Sequence, residues 1–105
     1  MLNHPFELDD DTVAFLRIVR WCLVRYFGHS DESAQSAIDL FIGTLADADS
    51  IEWLHHDGVF LSSLRVHHQQ DLGGDWDEFT EWRVANGYSD TPAEVQEYFN
   101  SHYFQ

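Results

Sequence analysis

Residues 12–27 read TVAFLRIVRWCLVRYF, and this stretch decides the fold class. Val13, Leu16, Val19 (with Arg20), Leu23 and Phe27 recur at the helical spacing of three and four. Phe15, Ile18, Trp21 and Cys22 widen that stripe beyond one face, which predicts the central, most buried helix of the domain. Arg17, Arg20 and Arg25 leave it one narrow polar edge. Asp9, Asp10 and Asp11 precede it, where a helix N-terminus favours negative charge, and Gly28 supplies the stop. The run is too short and too charged to cross a bilayer, which takes about 20 largely apolar residues.

Working outward, Ser30 or Asp31 can cap a second helix, Glu32 to about Ala46, whose apolar set is Ala34, Ala37, Ile38, Phe41, Ile42 and Leu45. An acidic loop, Asp47-Ala48-Asp49-Ser50, ends in a serine cap and leads into a short helix, Ile51 to His56. Residues 59–70 admit either helix or strand. Helix is expected, with Phe60, Leu61, Leu64 and His68 on one face, because no partner strand with clean alternation exists. After the Gly73-Gly74 turn, Asp75-Trp76-Asp77-Glu78 is a capping-box pattern opening a helix that carries Phe79 and Trp82 and ends at Asn86-Gly87. Thr91-Pro92-Ala93-Glu94 starts the last helix, with Thr91 as cap, Pro92 at the first position and Glu94 reaching back. Val95, Tyr98, Phe99 and His102/Tyr103 form its inward face. The expectation is an all-α, single-domain compact bundle of five or six short helices spanning residues 1–105.

The 105 residues carry 19 Asp+Glu against five Lys+Arg, a formal charge of −14. All five cations are arginine. Such a balance repels a phosphate backbone and makes nucleic acid an unlikely class of partner. The single Cys22 excludes an intramolecular disulfide framework and a cysteine-rich zinc module. The start, MLNHPFELDDD, lacks the basic and apolar regions of a signal peptide, so a soluble, cytoplasmic protein with no membrane partner is expected.

Two doublets, His55-His56 and His67-His68, hold the residue types of a metal site, and Glu52-x-x-His55 matches half of a di-iron motif. Neighbouring histidines on a helix point about 100° apart, and the second motif is missing, so the ligand set is incomplete. The expectation is therefore no metal and no cofactor, with the four doublet histidines dispensable at helix ends or on the surface. The alternative is a metal-dependent enzyme or metal sensor using Glu52 and the doublets. Cys22 lies in the most apolar helix and reads as an inert thiol. Ser62-Ser63 lacks a nucleophile elbow, Gly73-Gly74 lacks a following Lys-Ser/Thr, and residues 71–78 depart from calcium-loop spacing. No catalytic residue is assigned and no enzyme is expected.

The acids carry the remaining signal. Asp71, Asp75, Asp77, Glu78, Glu81, Asp90, Glu94 and Glu97 share one stretch with a single cation, Arg83. A charge magnitude of about 2–8 already keeps a small domain soluble. The excess points to a basic partner, steered in by complementary charge. Trp76 and Trp82 lie among these acids, and tryptophan is enriched at interface hot spots, although it also fills cores. The expected partner-binding residues are Asp71, Asp75, Trp76, Asp77, Glu78, Glu81, Trp82, Asp90 and Glu94. In profile, without a diagnostic motif, the chain is similar to the small immunity proteins that neutralise bacterial toxins. A nucleic-acid mimic is the related alternative, but it would want acids in regular rows, and here they cluster.

Overall fold

Four of the described helices pack directly on the helix that the opening stretch encodes. The computed structural model describes residues 9–45, 49–88 and 90–103. Among them are six α-helices and no strand: α1 Asp10–Phe27, α2 Asp31–Gly43, α3 Asp49–Asp57, α4 Val59–Val66, α5 Phe79–Ala85 and α6 Ala93–His102. A π-helical turn, His67–Asp71, extends α4, and a 3₁₀ turn, Trp76–Glu78, leads into α5. The all-α, single-domain bundle is as expected. The start read as lacking a signal peptide (residues 1–8), the predicted end of α2 at Ala46 and the loop residues Asp47 and Ala48 lie outside the described residues.

Helix α1 packs against α2, α3, α4 and α6. Phe15, Leu16, Ile18, Val19, Cys22 and Leu23 are its buried set, meeting Ala34, Ile38, Phe41 and Ile42 of α2 and Val59, Phe60, Leu64 and Val66 of α4 in one core. At its start the Asp9 carboxylate accepts from the Thr12 N–H at 2.8 Å. At its end Gly28 adopts a left-handed φ of 72° that a side chain would resist, and the N–H groups of Gly28 and His29 both reach the Leu23 carbonyl. That turn fixes His29 at the head of α2.

Helix α4 confirms helix over strand for residues 59–66, with a composition the periodicity did not foresee. Ser62 and Ser63 are among the most buried residues, and their hydroxyls donate to the carbonyls of Leu54 (3.1 Å) and Phe60 (2.6 Å). Each buried polar group is thereby satisfied. Leu61, assigned to the inner face, is only half-buried.

Three helix starts differ in kind. At α2, Ser30 Oγ accepts from the Ser33 N–H at 3.0 Å and Ser33 Oγ accepts from the Ser30 N–H at 3.1 Å, a reciprocal box. At α3 the helix already includes Asp49, so Ser50 is a first-turn residue and not the predicted cap. At α6 the predicted cap fails: Pro92 occupies the cap position with no side-chain bond, and Thr91 is exposed. Glu94 turns to α1 instead, accepting from Arg25 Nε at 3.1 Å, Arg25 Nη2 at 3.2 Å and the Tyr26 hydroxyl. A bidentate, charge-assisted pair outcompetes a neutral cap bond. Ser30→Ala should accordingly cost about 1 kcal/mol, and Thr91→Ala should stay within about 0.5 kcal/mol of the parent. Urea midpoints at fixed pH check both.

Candidate functional site

The stretch after α4 holds most of the acids expected to bind a partner, and the structure divides them. Asp77, Glu81 and Asp90 are exposed and, among the described residues, enter no ion pair. Asp75 and Glu78 are exposed but shape the start of α5, where the Asp75 N–H donates to Glu78 Oε1 at 3.1 Å. Glu94 and Asp71 are turned inward electrostatically. Glu94 serves Arg25 and Tyr26, and Asp71 serves two histidines.

The two tryptophans of the stretch also part company. Trp82 is half-buried, its ring 4.8 Å from His68, 5.6 Å from Tyr88 and 6.0 Å from Phe79. These are packing contacts, and they leave Trp82 less exposed than Trp76. Trp76 is 51% exposed, and the Arg65 guanidinium lies 4.5 Å from its ring centroid. Arg65 is itself fixed, 4.3 Å from the Phe79 ring and 2.9 Å from Asp57 Oδ2 through its Nε. The indole is thus held without being covered. Trp53 on α3 is also largely exposed, edge-on to His56.

The doublet histidines do not converge on one another. His55 bonds the Thr12 hydroxyl at 3.1 Å and packs 4.4 Å from the Phe15 ring, while His56 is exposed. His68 is buried against Trp82 and Phe79. His67 stacks on Phe27 at 4.2 Å and places Nδ1 2.6 Å from Asp71 Oδ2. The same oxygen lies 2.7 Å from Nε2 of His29, a residue the sequence reading passed over. Its signal was faint, a lone histidine after a helix-ending glycine. The four-residue step from His67 to Asp71 was the legible half of the cluster. His55 and His56 lie in the last turn of α3 and His68 in the last turn of the π-helical segment, the helix-end placement expected for the doublets.

These partners shift the titrating groups. Burial pushes the Asp71 carboxyl up, but hydrogen bonds from His29 and His67 outweigh it and hold the group below the ordinary carboxylate range. Hydrogen bonds from Tyr26 and Arg25 lower Glu94, while burial and the Glu94 bond push the Tyr26 phenol up to about 12. Burial likewise pushes the Cys22 thiol up to about 12, against a weaker opposing bond with Ser63. A thiol so placed is no nucleophile near neutrality.

Both carboxyls are lowered in the fold, so they bind protons more readily once unfolded. The stability they contribute is present above their ordinary values and is lost as pH falls through the lowered ones. Acidification below about pH 4.5, the ordinary glutamate value, should therefore weaken the protein. Glu94→Gln and Asp71→Asn should each flatten that acid limb, as thermal melts between neutral pH and pH 3 would record.

Among the described residues no helix is long and apolar enough to cross a membrane. No protein-family model, no curated protein and no solved structure matches the chain.

Proposed function

We propose that this chain is a small acidic binding protein that inhibits a basic protein partner, acting by occlusion and not by catalysis. Its most specific form is an immunity protein that neutralises a toxin in the cytoplasm. One observation carries the reading: Trp76 is half-exposed, propped by Arg65, and bracketed in sequence by the exposed carboxylates of Asp75, Asp77, Glu78 and Glu81. A held aromatic surrounded by charge suits recognition, because the indole loses little freedom on binding. The carboxylates left without ion pairs supply long-range attraction. The raised Cys22 thiol favours binding over nucleophilic chemistry, and one buried cysteine fits a reducing compartment. Asp71, Glu94 and Trp82 drop out of the contact surface because each has an internal partner.

The test is affinity capture from the native host with two baits, the parent chain and the triple variant Asp75→Lys, Asp77→Lys, Glu81→Lys. A stoichiometric basic protein held by the parent and lost from the variant is expected. Equal recovery on both baits, or no basic protein on either, would contradict the proposal.

A further inference from the structure

We propose that His29, His67 and Asp71 form a binding site for a divalent transition ion of the zinc type, independent of the acidic face. Their ligand atoms all lie within 4.8 Å of one another. Two imidazole nitrogens and one carboxylate oxygen are a donor set suited to zinc, and three protein ligands leave a fourth position for water. Metal–ligand bonds of about 2.0–2.1 Å in a tetrahedron separate the donors by about 3.3 Å. His29 Nε2 and His67 Nδ1 stand 2.7 and 2.6 Å from Asp71 Oδ2. Admitting the ion therefore asks the carboxylate to draw back by less than about 1 Å and the widest donor pair, 4.8 Å apart, to close by about 1.5 Å through rotation of the imidazole rings.

The three side chains come from rigid supports. His29 is set by the left-handed Gly28 turn, and its own N–H is bound to the Leu23 carbonyl at 3.3 Å. Its other ring nitrogen, Nδ1, lies 2.9 Å from Ser33 Oγ, which is already fixed in the reciprocal box of α2. Metal-ligating histidines are commonly oriented through the second nitrogen in this way. The His67 ring is clamped face to face on Phe27. His67 and Asp71 stand at the two ends of the π-helical turn, an irregularity that recurs at functional sites. Side-chain exposures of 11% for His29, 18% for His67 and 27% for Asp71 leave an entry path from one side. The charge of −14 makes a cation welcome. Zinc would take the lone pair of each inward nitrogen, with the imidazole N–H on the opposite ring nitrogen, which in His29 faces Ser33 Oγ at 2.9 Å.

The experiment titrates zinc alone into untagged, chelator-treated protein, read by calorimetry and by ring-nitrogen NMR of the histidines. One equivalent is expected, with shifts at His29 and His67 and none at His55, His56, His68 or His102. Asp71→Asn and His29→Ala should each weaken binding at least about 10-fold, and Ser33→Ala by about 10-fold. Should a variant unfold, the NMR of the parent still decides by which rings respond. Absence of one-to-one binding at micromolar zinc would overturn the site. So would binding that survives Asp71→Asn or reports at other histidines.

Discussion

Gly74→Ala is expected to destabilise the protein by about 1–3 kcal/mol, the range for forcing an extra methyl into a packed interior. A Cβ at this position would stand 2.1 Å from His68 Nε2 and 2.3 Å from its Cε1, far inside van der Waals contact. The ring is 5% exposed and lies against Trp82 and Phe79, so it cannot swing aside without unpacking two aromatics. The Gly74 N–H also donates to the His68 carbonyl at 2.9 Å, which resists withdrawal of the backbone. Gly43 is the internal control. It lies in α2 at ordinary φ with nothing near its would-be Cβ, so Gly43→Ala should be neutral or stabilising by up to about 1 kcal/mol. In a domain whose whole stability is about 5–15 kcal/mol, the two substitutions should move urea midpoints in opposite directions. An unchanged midpoint for Gly74→Ala would mean that the His68 ring has room to move.

Trp76→Ala is expected to cost a complex with the basic partner about 2 kcal/mol or more, as interface anchors do. That corresponds to about 30-fold weaker binding, expressed mainly as faster dissociation. The indole's contacts with the fold are a stacked ring contact with Phe41, 6.3 Å between centroids, and a cation–π contact with Arg65, worth about 0.5–1 kcal/mol at an exposed site. The variant should therefore stay folded. Trp82→Ala should do the reverse, lowering the urea midpoint through lost packing on His68, Phe79 and Tyr88. Paired dissociation rates and urea melts of the two variants separate an anchor from a core residue.

Helix periodicity and end signals were legible wherever the information is local. The stripe of residues 12–27, the Gly28 stop and the Ser30 cap all follow from neighbours within a turn or two. What was not legible depends on distant partners. Thr91 carries every local mark of a cap, yet Glu94 is drawn away by Arg25, 69 residues distant in sequence. The two serines of α4 look like surface residues until the Leu54 and Phe60 carbonyls accept their hydroxyls. Adjacent histidines make the doublets conspicuous in the sequence. His67, however, meets His29 through Asp71, and the His29–Asp71 separation is 42 residues. In the acidic stretch, composition showed the charge, but only packing distinguishes the exposed Trp76 from the inward Trp82.

The central claim is that the exposed carboxylates around Trp76 steer a basic partner, and its most direct test is the association rate constant as a function of salt. The Debye length shrinks from about 10 Å at 0.1 M to about 3 Å at 1 M, so exposed charges stop acting at a distance. The parent chain should associate well above the unsteered ~10⁵–10⁶ M⁻¹s⁻¹ at low salt and slow steeply as salt rises. The variant carrying Asp75→Lys, Asp77→Lys and Glu81→Lys should associate slowly, with a flattened salt dependence. Equal rates for the two chains, insensitive to salt, would contradict the account and leave the acidic face a solubilising surface.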